Sequence, residues 1–259
     1  MPVKDPMQYL ASALLPPSCG AAHAFFSRAG GVSAAPFASL NFDPRDGDAA
    51  ENIERNRIIA GASCGVPMET LVTVNQVHGA AVMRLDASTP GPSPVDADAI
   101  VTSLPNVPIG ILTADCLPLL LYDQVKKAVG AVHAGWRGTV SGVSTAAVSA
   151  MRDAFGSAPV DIIAALGPHI GPCCYTVGNE VFERFSSAAW ATAGCVRKDD
   201  GVMRVDIGAA NVAQLISTGL SEENISRAAP CTSCTSGLFF SYRKEAGRTG
   251  RQLSFIMLR

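Results

Sequence analysis

Residues 110–138 constrain the fold more than any other stretch. They read GILTADCLPLLLYDQVKKAVGAVHAGWRG. Three apolar runs, at 109–114, 117–122 and 128–132, are short, rich in Leu and β-branched residues, and separated by polar turns. This predicts buried neighbouring strands, because a helix would need a longer run with a 3.6-residue period. The chemically loaded residues enter where the runs end: Asp115-Cys116 between the first two, and His133-Ala-Gly-Trp-Arg137-Gly138 after the third. Alone, the Cys reads as a packed thiol and the His as a hydrogen-bonded core residue. Together, beside a Gly-bracketed Arg and with a further His upstream, they predict a site built on a rigid sheet.

With 259 residues, 48% of them hydrophobic and only 16% charged, the chain can bury a continuous core as one domain. The net charge is −2 and no basic block occurs. That argues against a nucleic-acid groove or an anionic membrane surface and favours a small-molecule substrate. No apolar run reaches the length of a membrane span. The N-terminus lacks a basic n-region and a convincing hydrophobic segment, so it reads as an ordinary mature start of a cytoplasmic protein. In that compartment the eight cysteines are expected to be thiols, some of them ligands.

Along the chain, residues 1–22 read as an extension and 23–259 as the catalytic domain. A strand at 23–28 leads into Ala29-Gly30-Gly31, a turn whose amides can cradle an anion with Arg28 as countercharge; a plain tight turn is the simpler reading. Asn41 follows in a loop. A helix is predicted at 49–63, with Ile53, Asn56, Arg57 and Ala60 at helical spacing. Alternation at 71–77 predicts a strand ending in His78-Gly79, with 81–85 returning beside it. Gln76 and His78 then share a face. Residues 88–94 form a Pro/Gly/Ser loop, and Asp96-Ala-Asp98 leads into a strand at 99–102. Beyond the central stretch come a helix at 141–155, a strand at 162–166, and a shaped Gly/Pro-rich loop, Gly167 to Tyr175. The remainder reads as a helix at 179–187, strands at 203–205 and 225–229 around a helix at 207–218, and a final strand, LSFIML. The pattern is α+β: a single domain with mixed sheets and outer helices.

His78, Cys116 and His133 each stand at a strand end. Two imidazoles and a thiolate suit zinc, and three protein ligands leave a fourth position for water or substrate. Their wide spacing is not a local zinc motif. Arg28, Arg137 and Arg243 offer fork-shaped donors suited to phosphate. Asp98 and Asp115 are equivalent choices for orienting a ligand His or moving a proton.

The phrases NQVHG, TADCLPLLLYD, AVHAGWRG, LGPHIGPCCYTVGNEV and FFSYRK…TGR, with SRAGGVS and SLNF upstream, resemble the YfiH family, also labelled multicopper polyphenol oxidase (laccase-like) or peptidoglycan editing factor. The resemblance runs from about His23 to the C-terminus. It implies a YfiH-type fold, reminiscent of the cysteine-hydrolase type found in cysteine-dependent deamidase toxins. It implies zinc on His78, Cys116 and His133, which would also be the catalytic residues. The activity implied is purine nucleoside phosphorylase on adenosine, inosine and methylthioadenosine, with adenosine deamination as a second activity. Substrate and phosphate would meet Arg28, Asn41, Gln76, Asp98, Arg137 and Arg243. Thr176 stands where the family commonly has Glu, so no role is carried over to that position.

Rival readings stand beside this one. Pro230-Cys231-Thr-Ser-Cys234 matches half of the cytidine-deaminase zinc signature, but no histidine has Glu two residues on, which excludes that class. Cys231 and Cys234 can instead pair with Cys173 and Cys174 in a structural metal site or a redox couple, or serve as inert packing thiols. Cys116 and His133 can form a nucleophile–base pair; for such a pair the resemblance implies a peptidoglycan-precursor editing hydrolase removing misincorporated L-Ser. Copper is the less favoured metal and a copper polyphenol oxidase the weaker function, because four histidines are too few for several copper sites.

Overall fold

The computed structural model describes residues 9–89, 95–192, 194–227 and 229–259. The first eight residues of the expected extension, positions 90–94 of the Pro/Gly/Ser loop and position 228 of the expected 225–229 strand lie outside the described residues. The chain forms β1 (Tyr9–Leu10), β2 (Ala21–Phe26), α1 (Ala50–Cys64), β3 (Val82–Leu85), β4 (Ala99–Thr102), β5 (Ile109–Thr113), β6 (Leu117–Asp123) and β7 (Ala128–Ala134). It continues through α2 (Trp136–Val140), α3 (Val143–Phe155), β8 (Ile162–Leu166), α4 (Asn179–Ser186), β9 (Val196–Asp199), β10 (Val202–Val205), α5 (Ile207–Ser217), β11 (Ile225–Ser226) and β12 (Gln252–Leu258).

Two large sheets pack face to face. One has the order β1-β2-β12-β5; the other is mixed, in the order β11-β8-β6-β7-β4-β3. Period-two alternation divides the fully apolar strands between layers. In β6, Leu117, Leu119 and Leu121 face the helix side with Val143, Met151 and Leu215. Leu120 and Tyr122 face the other sheet with Ile111 and Ile256. In β12, Leu253, Phe255 and Met257 turn outward to Phe42, Ala60 and Met68, covered by α1. The layers therefore run helices, six-stranded sheet, four-stranded sheet, α1. Each fully buried Leu or Phe contributes about 1.5–3 kcal/mol.

The structure corrects several local expectations. The 109–114 run is not a neighbour of β6: β5 pairs with β12 in the other sheet. The chain changes sheets at Asp115, whose φ of 83° makes the corner. Residues 71–77 form no continuous strand. Their backbone is shared between isolated bridges, Val72 with Ile109 and Asn75 with Asp96, and β3 runs parallel to β4 rather than returning beside them. The helix expected at 141–155 begins at Val143, after a break at Gly142 where φ is 79°. The Gly30-Gly31 turn packs against its own loop: the Gly31 amide donates to Ser39 Oγ at 3.1 Å, and a Cβ on Gly31 would lie 2.2 Å from the Ser39 carbonyl oxygen.

Candidate functional site

Three adjacent strands deliver the centre of the site. Pro118 of β6 is opposite His133 of β7, so Cys116, two residues earlier, emerges beside the end of β7. Asp98 directly precedes β4, and its carbonyl accepts the His133 backbone N–H at 2.7 Å. His78 arrives from the loop before β3 with φ at 60°. The ligand atoms of His78, Cys116 and His133 all lie within 4.8 Å of one another, and the two imidazoles meet edge to face at 4.8 Å between centroids. Gly135 leaves room for them: a Cβ there would sit 2.7 Å from His78 Nδ1 and 3.1 Å from Cys116 Sγ.

Asp98, fully buried, organises this cluster. It accepts the Nδ1 side of His133 at 2.7 Å, and the backbone amides of His78 at 2.9 Å and Gly79 at 2.6 Å. With Nδ1 so engaged, Nε2 is the His133 nitrogen available to a metal. Asp115 is a tie instead: it accepts Thr232 Oγ1 at 2.6 Å and the Arg243 amide at 2.6 Å. The structure thus separates two carboxylates that the sequence left equivalent.

Burial pushes the Cys116 thiol up, but the charge of His133 and hydrogen bonds from His133 and His78 outweigh it and bring the thiol down to about 6. Burial pulls His133 down, while the Cys116 charge and the Asp98 hydrogen bond raise it to about 9. The metal-free pair at neutral pH is therefore thiolate and imidazolium. A soft anionic sulfur with two imidazoles, one of them oriented by a buried carboxylate, fits a divalent metal with an open position.

The cluster opens into a cavity of about 620 Å³, within the size range of small-molecule sites. Gln76, Arg137 and Arg243 line it. Gln76 spends both ends of its amide on the Leu112 backbone, at 2.7 and 2.8 Å. Arg137 lies over Trp136 at 4.4 Å. Arg243 lies over Tyr175 at 5.2 Å and donates to the Thr176 carbonyl at 2.9 Å. Neither guanidinium has a carboxylate partner among the described residues.

Arg28 and Asn41 do not reach the cavity. Arg28 spends its donors on Glu245, Ser236 O and Ala38 O, each within 2.9 Å. Asn41 is fully buried and holds the Asp43 backbone, Asp48 and the Arg251 amide. Both brace loops: the Glu245 carboxylate already pairs with Arg28, and both Asn41 amide hydrogens are spent inside the fold. Sequence reasoning missed Arg45, Asp46, Tyr242 and Arg251, which line the cavity; the RTGR phrase was the available signal for Arg251. Arg251 pairs with Asp46 at 3.2 Å, and Arg45 with Asp43 at 2.8 Å. The other two histidines are engaged elsewhere. His23 Nε2 accepts the Ser12 amide, and burial lowers it to about 4. His169, also lowered by burial, bonds the Gly167 carbonyl.

Comparison with known proteins gives a consistent family. A family model described as multi-copper polyphenol oxidoreductase laccase matches residues 22–259. A Deinococcus radiodurans protein named purine nucleoside phosphorylase is 38% identical over 242 residues, covering 93% of this chain and 91% of that protein. Escherichia coli purine nucleoside phosphorylase YfiH is 37% identical, covering 92% and 94%. The crystal structure of YlmD from Geobacillus stearothermophilus superposes with a TM-score of 0.89 at 32% identity, over 98% of this chain and all of that one (100%).

Proposed function

We propose that this chain, which belongs to the multi-copper polyphenol oxidoreductase laccase family that includes YfiH and YlmD, is a zinc-dependent purine nucleoside phosphorylase. Its substrates are adenosine, inosine and methylthioadenosine with inorganic phosphate, and adenosine deamination is a second activity. The observation that carries the reading is the meeting, in one cavity, of a three-ligand metal cluster and two guanidinium groups without carboxylate partners.

Arg137 and Arg243 hold phosphate as planar two-pronged donors. Trp136, Tyr175 and Tyr242 supply flat faces against which a purine can stack. A phosphate oxygen forms the bond to the ribose C1′ as the C1′–N9 bond breaks, and the electron pair leaves on the purine, which takes up a proton. Burial, reinforced by the Cys116 and Asp115 charges, pushes the Tyr175 hydroxyl up to about 12, so it stays a neutral donor beside the leaving base. Zinc held by His78, Cys116 and His133 would supply Lewis-acid stabilisation of developing negative charge. The reading disfavours multicopper oxidation. Such chemistry needs further His-rich sites, and His23 and His169 are bonded away from the cluster.

The deciding experiment is turnover of the three nucleosides with and without phosphate. Phosphorolysis predicts phosphate-dependent release of free base and ribose 1-phosphate, together with loss of activity and of the cavity metal in Cys116→Ser. Base release that ignores phosphate overturns it.

A second reading rests on the Cys116–His133–Asp98 relay, which has the order of a nucleophile, base and orienting carboxylate. In a cysteine-hydrolase-type enzyme it would serve the editing of peptidoglycan precursors by removal of misincorporated L-Ser. Activity that survives a chelator, with a covalent intermediate on Cys116, would favour it over phosphorolysis.

A further inference from the structure

Four cysteines, Cys173, Cys174, Cys231 and Cys234, converge outside the cavity with all Sγ atoms within 4.8 Å of one another. None is in a disulfide. Cys234 Sγ is 3.5 Å from Cys173 Sγ and 3.4 Å from Cys174 Sγ. A tetrahedral site with metal–sulfur bonds of about 2.3 Å has sulfurs roughly 3.8 Å apart; the two spacings fall a few tenths of an ångström short of that edge, and the 4.8 Å limit on the whole set encloses it. They are well beyond the roughly 2.05 Å of a disulfide bond.

The backbone prepares this cluster. One pair comes from the turn after Gly171, where the Cys174 amide donates to the Gly171 carbonyl at 3.0 Å. The other is a Cys-x-x-Cys turn, closed by Thr235 donating to the Cys231 carbonyl through its amide at 3.0 Å and its hydroxyl at 2.7 Å. An isolated bridge between His169 and Cys231 brings the two turns together. The Gly171 amide donates to Cys231 Sγ at 3.2 Å, the kind of supporting hydrogen bond that steadies a metal thiolate. Partial exposure of all four also argues against inert packing thiols, which are usually buried.

We propose that these cysteines form a four-thiolate structural site for zinc, separate from the cavity cluster. Four protein ligands close the coordination shell, so this metal takes no substrate. The site clamps two segments of the cavity wall. Tyr175 directly follows Cys174, and Thr232, inside the Cys-x-x-Cys turn, holds Asp115 at 2.6 Å.

The test is cobalt(II) titration of the reduced, metal-free full-length protein, read by thiolate-to-cobalt charge transfer and tetrahedral visible bands. Wild type should take up about two equivalents. Cys116→Ser should keep one, with the intense signature of several thiolates, and Cys231→Ser should lose that one. Where Cys231→Ser fails to fold, Cys173→Ser, altered at an exposed position, should weaken and shift the multi-thiolate band. The proposal is overturned if Cys116→Ser shows no multi-thiolate cobalt, if Cys173→Ser leaves the spectrum unchanged, or if the reduced cysteines reoxidise to disulfides in preference to binding metal. Because Cys116→Ser disables the cavity cluster, failure of this site is distinguishable from failure of the phosphorylase reading.

Discussion

Asp98→Asn exchanges one carboxylate oxygen for an amide NH2 without changing side-chain volume. In the native protein Oδ1 accepts the His78 amide at 2.9 Å and lies 2.7 Å from His133 Nδ1. Oδ2 accepts the amides of Gly79 at 2.6 Å and Val77 at 3.3 Å. An Asn has one acceptor oxygen, so in either orientation two of these donors face an NH2 group. Hydrogen bonds to a charged partner are worth about 1.5–3 kcal/mol each. Losing two, in a site where the carboxylate is fully buried, is expected to cost about 3–5 kcal/mol, as when one partner of a buried ionic pair is removed. Metal affinity should fall about 10–100-fold, because His133 loses its orienting acceptor or His78 loses its backbone anchor. Urea unfolding of the metal-free protein gives the first quantity and competition with a chelator the second. A variant within about 1 kcal/mol of wild type that also holds metal with native affinity would refute the view that one carboxylate assembles the site.

Three further outcomes follow from the same geometry. Arg137→Lys keeps the charge but loses the planar fork, so the apparent KM for phosphate should rise about tenfold with little change in stability; unchanged phosphate kinetics would make Arg137 structural. Gly135→Ala places a methyl 2.7 Å from His78 Nδ1 on an ordinary extended backbone, so metal content should drop while the unfolding midpoint stays close to native; full occupancy would contradict this. Between pH of about 6 and about 9 the metal-free site carries the Cys116 thiolate and a protonated His133. Binding then expels one proton, and apparent affinity should rise about tenfold per pH unit across that window, more steeply below it, and level off above it. A flat profile in chelator competition would rule out the coupled pair.

How much of this was legible in the chain depended on whether a residue's partner was local. Cys116, His133 and Asp98 stand immediately beside the ends of β6, β7 and β4, so reading strands also located the chemistry. His78 was reached through an expected strand at 71–77 that the structure does not form; it is delivered instead by a loop in which its own φ is 60°. The apolar run of β5 gave no hint of its sheet, since a strand buried on both faces has the same pattern whichever neighbour it takes. Arg28 failed for the complementary reason. A guanidinium beside two glycines suggests an anion site only while its partner is unknown, and that partner, Glu245, lies 217 residues later. The four cysteines show the same limit from the other side: 60 residues separate Cys174 from Cys234, and a single bridge at His169 and Cys231 joins their turns. The sequence offered their grouping only as one alternative among a metal site, a redox couple and packing thiols. The tertiary fold brings the four Sγ atoms within 4.8 Å of one another, beside Tyr175 and the Thr232 tie to Asp115 behind the cavity wall.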